Sequence, residues 1–241
     1  MHFKLFFLAF NLALVQGATL ANSPAGKACA KRSRGLQYAA FKNPFARTDE
    51  QYSSFDPTYM KSTTAGGQGT ANVLYNSTTS TGFFTSDGVD PSQGIHIYGS
   101  KNSIPDYGFA VNHRGYIKAD IAGVYKIQIN DIDDIALLWT GDTAKSGWTR
   151  DNAVAVGYYT SYGGNGVADY TVNMTPGEYL PIRVIWGNGG GPFSLNITIA
   201  NSKGTTILGE DTTPTNMVVW RACGANKNDA PPFPNTFGNE S

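Results

Sequence analysis

Charge is scarce in this 241-residue chain: Asp, Glu, Lys and Arg make up 15% of it, against ~25% in an average soluble protein. The 18 basic and 18 acidic residues cancel, which excludes a nucleic-acid-binding arm, a polybasic membrane patch and an acidic tail. Cysteine occurs twice and histidine three times. There is no G-x-S-x-G, no H-E-x-x-H and no glycine-rich phosphate loop, so the common hydrolase and nucleotide-binding signatures are missing. After the first twenty residues no apolar run approaches the roughly 18 residues that span a membrane. Helical periodicity is also lacking, never lasting more than a turn or two. What remains is 28 glycines, 12% aromatics and 41% apolar residues. That is enough for a core, in the style of an extracellular binding domain built from short strands and aromatic loops.

Residues 1–17 read as a secretory signal: Lys4 precedes an apolar run from Leu5 to Val15, and Val15-Gln16-Gly17 suits signal peptidase. Residues 18–34 follow as a loose lead-in. In an oxidising compartment Cys29 and Cys223 are expected to pair, two free thiols being the alternative. The bridge would close a loop of roughly 195 residues, worth about 5 kcal/mol in the ideal entropic treatment. Sequons at Asn76, Asn173, Asn196 and Asn239 fit a secreted glycoprotein. Residues 224–241, with Pro231, Pro232 and Pro234, read as a flexible C-terminal tail.

Regularly spaced aromatics from Tyr38 to Tyr59 suggest a wrapping segment with short strands, and the Thr/Ser/Gly-dense stretch 63–86 a long loop or edge hairpin. Ile95–Tyr98 and Phe109–Val111 are short strand candidates. Gly115–Ile121 and Val124–Ile129, flanking Ala122-Gly123, have the form of a hairpin. Ile135–Trp139 is nearly continuous in apolar residues, as in a central strand. Pro176-Gly177 launches Tyr179–Trp186, and Phe193–Ile199 alternates with Ser194, Asn196 and Thr198 on the wet face. Many strands, frequent turns and no substantial helix predict an all-β, jelly-roll-like sandwich.

Chemistry concentrates at Asn130-Asp131-Ile132-Asp133-Asp134, where three carboxylates fall within four positions. They need either water at an ordinary turn or a hard cation such as calcium, which takes oxygen ligands. In a regular strand Asp133 and Asp134 would point to opposite faces; a distorted backbone, for example a cis peptide, would bring them together. A second loop, Trp186–Pro192, offers the Asn188 side-chain oxygen and the carbonyls of Gly189, Gly190 and Gly191, a flexible hairpin tip being the alternative. Trp148 is the first choice for an aromatic stacking on a ligand ring, followed by Tyr158, Tyr159 and Tyr162, an aromatic packed on the core being the alternative for each tyrosine. Arg150 either donates to hydroxyls or pairs with Asp142 or Asp151.

Several blocks in this order resemble the GLEYA adhesin domain of fungi, which is related to the sugar-binding heads of yeast flocculins and epithelial adhesins. They are Gly115–Ile129, Asp133–Gly141, Ser146–Thr149, Pro176–Val184 and the Asn188 loop. The resemblance implies a GLEYA-like sandwich over 35–223 and a calcium-dependent lectin. In that family two consecutive aspartates joined by a cis peptide bind calcium, and Asp133-Asp134 stand at that position. Asn188 matches an asparagine ligand, Gly190 would give a carbonyl, and vicinal sugar hydroxyls would complete the shell. Gly189 and Gly191 fall where related adhesins carry bulkier side chains that contact the sugar. The expectation is a secreted or wall-associated adhesin domain attaching to cell-surface or cell-wall glycans, without catalytic residues. The alternatives are a structural wall or matrix protein and, less favoured, a carbohydrate-active enzyme, because a cation is a better use for adjacent carboxylates than flanking a scissile glycosidic bond.

Overall fold

The computed structural model describes residues 33–241. The expected signal, nearly all of the lead-in and Cys29, hence the expected Cys29–Cys223 pairing, lie outside the described residues.

In chain order the first strands are β1 (Leu36–Lys42), β2 (Val73–Thr79), β3 (Phe83–Thr85), β4 (Phe109–Lys118), β5 (Gly123–Asp133) and β6 (Ile135–Thr140). A one-turn helix, α1 (Asp142–Lys145), precedes β7 (Ala155–Tyr158), β8 (Gly166–Met174), β9 (Tyr179–Asn188) and β10 (Ser194–Ala200). Two short strands, β11 (Thr206–Leu208) and β12 (Val218–Val219), complete the set. They form an antiparallel sandwich. One sheet runs β2-β1-β4-β9-β6-β7 with β12 also on β4, and the other runs β11-β10-β5-β8 with β3 also on β10.

The central strands of the larger sheet are buried on both faces, which is why β6 reads as an apolar run. On its inner face Val111, Ala136, Leu138, Val184 and Trp186 meet Ile127, Ile129, Leu195 and Ile197 of the smaller sheet. On its outer face Ile135, Leu137, Trp139 and Ile185 pack under Tyr52, Phe55, Tyr59 and Phe237, a second core roofed by the aromatic wrapping segment. The smaller sheet is covered on one face only. Leu195, Ile197 and Ile199 are buried, while Ser194, Asn196 and Thr198 are half-exposed, as their alternation predicts.

Three expectations need correction. Gly115–Ile129 is not a hairpin: β4 pairs with β1 and β9 in the larger sheet, whereas β5 pairs with β8 and β10 in the smaller. The Ala122-Gly123 turn carries the chain from one sheet to the other, and alternation alone does not distinguish the two cases. Ile95–Tyr98 keeps only an Ile95–Ile104 bridge before a 3₁₀ turn at Ile97–Gly99. Residues 224–241 are not a loose tail: Ala230, Phe233, Phe237 and Glu240 are buried.

Glu240 explains why that terminal segment is held. Arg183 of β9 is fully buried on the outer face of the larger sheet, with Arg114 of β4 nearby at 4% exposure. The Glu240 carboxylate accepts from Arg114 Nη1 and from Arg183 Nη2, each at 2.6 Å, and from Asn112 Nδ2 at 3.3 Å. Phe237 lies 3.9 Å from the Arg114 guanidinium. Removing one partner from such a group leaves uncompensated buried charge. Glu240→Ala is therefore expected to lower the unfolding free energy by about 3–5 kcal/mol in denaturant titration. Asp142→Ala, which breaks an exposed pair with Lys145, should leave it nearly unchanged.

Candidate functional site

The site lies where two sheet-crossing connections meet. Asp133 ends β5 in the smaller sheet and Ile135 opens β6 in the larger, so Asp133-Asp134 is the corner between them. Asn188 ends β9 in the larger sheet, and Ser194 opens β10 in the smaller. The corners face each other across both sheets, because Ser194 pairs with Asp133 and Ile135 pairs with Gly187. The Asp133–Asp134 peptide is cis, as the resemblance implied.

Asp134 is the anchor. It is 3% exposed. Its backbone N–H donates to the Gly187 carbonyl at 3.3 Å, and its Oδ2 accepts the Gly189 N–H at 2.7 Å. The Asn188 Oδ1 accepts the Gly190 N–H at 3.0 Å, and Gly190 takes a φ of 146°, in the left-handed range that favours glycine. Asp133 is half-buried, and its carbonyl accepts the Trp186 indole N–H at 2.8 Å. A slip in register between Ile129 and Ile132 turns Ile132 into the core and leaves Asp131 exposed.

A third segment closes the corner from the wrapping loop. Arg47 Nη1 donates to Asp134 Oδ1 at 2.9 Å, Nη2 donates to the Tyr159 carbonyl at 2.6 Å, and the guanidinium sits 5.1 Å from the Tyr159 ring centroid. Asn43 Nδ2 donates to the Asn188 carbonyl at 3.0 Å. Gly189 is glycine for want of room: a Cβ there would stand 2.8 Å from the Tyr52 hydroxyl and 3.1 Å from Arg47 Cβ. Sequence reasoning missed Arg47 and Asn43, because nothing in their local pattern points to partners 87 and 145 positions away.

The donor set fits a hard cation. Burial first, and the negative charge of Asp134 second, raise the Asp133 carboxyl well above the usual carboxylate range. A carboxyl raised in this way is one whose ionised form the chain itself leaves undercompensated, which a cation would relieve. Asn188 is fully buried beside it, with one lone pair of its Oδ1 used by the Gly190 N–H and its side-chain Nδ2 without a hydrogen-bond partner. Two carboxylates, an amide oxygen and flanking glycine carbonyls are the hard oxygen ligands that calcium takes. The described residues contain no cluster of three His, Cys, Asp or Glu with metal-binding geometry, so a cation here would rely on neutral oxygens beside its carboxylate pair.

Other candidates fall elsewhere. Trp148 cannot stack on a sugar: it is fully buried, 5.8 Å from the Trp139 ring, with Lys61 and Arg183 at 4.7 and 4.8 Å from its ring centroid. The turn after α1 folds it onto the outer face of the larger sheet, where it is a core aromatic. Tyr158 packs on the second core, Tyr159 lies under Arg47, and Tyr162 is fully exposed. Arg150 makes neither expected ion pair. Its guanidinium donates to the carbonyls of Gln51, Tyr52 and Phe55 at 2.8–3.0 Å and so fastens the wrapping loop. Gly191 is exposed; Asn76, Asn173 and Asn239 are exposed and Asn196 half-buried. His113 is fully buried, its pKa pushed down to about 4 by burial, and its Nε2 meets the Tyr98 hydroxyl. It is a core histidine, out of reach of a substrate.

With this geometry in place, the comparisons agree with the resemblance read from the sequence. Residues 109–201, which carry both corners, match the GLEYA domain family. Two Schizosaccharomyces pombe proteins that bear the name cell agglutination protein are similar to the chain. One is 26% identical over 180 residues, 68% of this chain and 14% of that protein; the other, pfl4, is 22% identical over 199 residues, 72% and 30%. The chain thus spans less than a third of the length of these relatives. In fold it is similar to the epithelial adhesin 9 A domain of Candida glabrata. The structure of that domain in complex with Galβ1-3GlcNAc gives a TM-score of 0.54 at 18% identity, covering 78% of this chain and 88% of that one. Its complex with Galβ1-4GlcNAc gives 0.51 at 17%, covering 76% and 86%.

Arg47 is the cation that Asp134 holds within the chain itself. Arg47→Met strips that charge from a buried carboxylate and is expected to cost about 3 kcal/mol of unfolding free energy in EDTA. Chemical denaturation of the two proteins side by side checks it.

Proposed function

We propose that the domain is a secreted adhesin-type lectin that binds cell-surface or cell-wall glycans through a calcium ion held by Asp133, Asp134, Asn188 and the Gly190 carbonyl. The observation that carries this reading is the convergence of a half-compensated carboxylate pair and a buried, half-partnered amide at one corner of the sandwich. Calcium bound there would offer open coordination positions to vicinal sugar hydroxyls. The chain's own part is to orient the ligands. Gly189 and Arg47 fix Asp134, Gly190 fixes the Asn188 oxygen, and Asn43 ties the Asn188 backbone to the wrapping loop.

Support comes from the relatives' cell agglutination names and from the disaccharides bound in the epithelial adhesin 9 structures. A non-catalytic role fits the same site, where adjacent carboxylates share one corner. No helix among the described residues is long and apolar enough to cross a membrane. With two carboxylates and a few neutral oxygens, the calcium dissociation constant should fall around 10⁻⁴–10⁻³ M, as in extracellular modules.

Calorimetry with calcium, and glycan-array binding in calcium and in EDTA, test this. Wild type should take up one calcium and bind glycans only in its presence. Asp133→Asn, which leaves the Arg47–Asp134 pair intact, should weaken calcium binding at least tenfold without lowering the melting temperature in EDTA. Glycan binding that persists in EDTA would overturn the calcium mechanism. Calcium uptake without glycan binding would favour a structural wall protein.

A further inference from the structure

Beside the candidate cation corner, two depressions share the wall formed by Ser86, Pro192 and Phe193. The first, about 310 Å³, is lined by Asp133 with Asp87, Asp131, Asn165 and Ser194. The second, about 360 Å³, is lined by Val89, Asp106, Tyr107 and Gly191. Each is within the range of small-ligand sites, ~300–1,000 Å³. Tyr107 is 68% exposed and lines the second depression. It is placed by register: it comes two positions before Phe109, which pairs with Asn188 across β4 and β9. The same pairing that positions the amide at the cation corner therefore sets this ring at its flank.

The wall between the depressions is held by aromatic packing. Phe193 is 4% exposed, stacked on Phe84 at 5.6 Å with 10° between the planes, and set edge-on to Phe109 at 5.4 Å. Pro192 fixes its own φ, and Gly191, with φ 83°, presents no side chain to block the passage. Polar hydroxyl partners lie on one side of this wall and an open aromatic face on the other. Sugar rings, which have polar edges and apolar C–H faces, match both.

We propose that the two depressions form one extended cleft for uncharged oligosaccharides, with Tyr107 as the stacking platform for the sugar unit next to the one at Asp133. This rests on the lectin reading above and adds to it the length and charge of the ligand. The lining holds four carboxylates, Asp87, Asp106, Asp131 and Asp133, and no Lys, Arg or His. A calcium ion offsets two charges at one end, and the remainder repels sialylated, sulfated and uronic-acid glycans along the cleft.

The test is binding to an array of neutral mono-, di- and tetrasaccharides and their sialylated and sulfated counterparts, in calcium, by wild type, Tyr107→Ala and Tyr107→Phe. Wild type should prefer neutral oligosaccharides over the matched monosaccharides at least tenfold and leave the anionic ones at background. Tyr107→Ala should lose that length preference while its monosaccharide binding and melting temperature stay unchanged, and Tyr107→Phe should restore it. Retention of the length preference in Tyr107→Ala, or equal binding of sialylated and neutral glycans, would overturn the cleft while leaving the cation site standing. Silence of wild type on every glycan in calcium would overturn the lectin reading and this inference with it.

Discussion

Asp134 is a carboxylate buried at the joint between two sheets, and most of the functional end of this molecule is arranged around keeping it there. Its two oxygens are taken by Gly189 N–H and by Arg47, and its backbone donates to Gly187. Each contact ties together segments far apart in sequence: the β5–β6 corner, the β9–β10 corner and the wrapping loop. A buried charge tolerates no loose partner. Loss of either oxygen's partner would leave that charge uncompensated, so one carboxylate links the placement of all three segments. Asp133, joined to it, has no comparable ion pair among the described residues, and burial and the Asp134 charge raise its carboxyl; the proposed cation would relieve that asymmetry.

The same logic recurs at the far edge of the second core. Arg114 and Arg183 stand on the outer face of the larger sheet among aromatic rings, and Glu240 returns from the C-terminal segment to pair with both. The outer face is thus closed by the wrapping loop on one side and the terminal segment on the other. Through Arg150, which grips the carbonyls of Gln51, Tyr52 and Phe55, the wrapping loop is held in the position from which Arg47 reaches Asp134. The second core thereby supports the site as well as the fold.

The sandwich was legible because its patterns are local. Ile135–Trp139 is apolar on both faces because both faces are covered, and β10 alternates because one face is wet. The acidic corner and Asn188 were legible as motifs. The sheet assignment of β4 and β5 was not, since a turn that crosses between sheets carries the same Ala-Gly signal as a hairpin. Trp148 was misread for a similar reason: an aromatic in a polar loop looks the same whether it faces solvent or folds onto a sheet. Arg47, Glu240 and Tyr107 had no signal at all. Their roles depend on contacts or register set by the completed fold.

The central claim is that a divalent cation sits at the Asp133–Asp134 corner, and anomalous scattering from crystals grown in calcium tests it most directly. The account predicts a single strong peak bounded by both aspartate carboxylates and the Asn188 side chain. A map without density there, with the Arg47 guanidinium as the sole positive charge beside the pair, would contradict it.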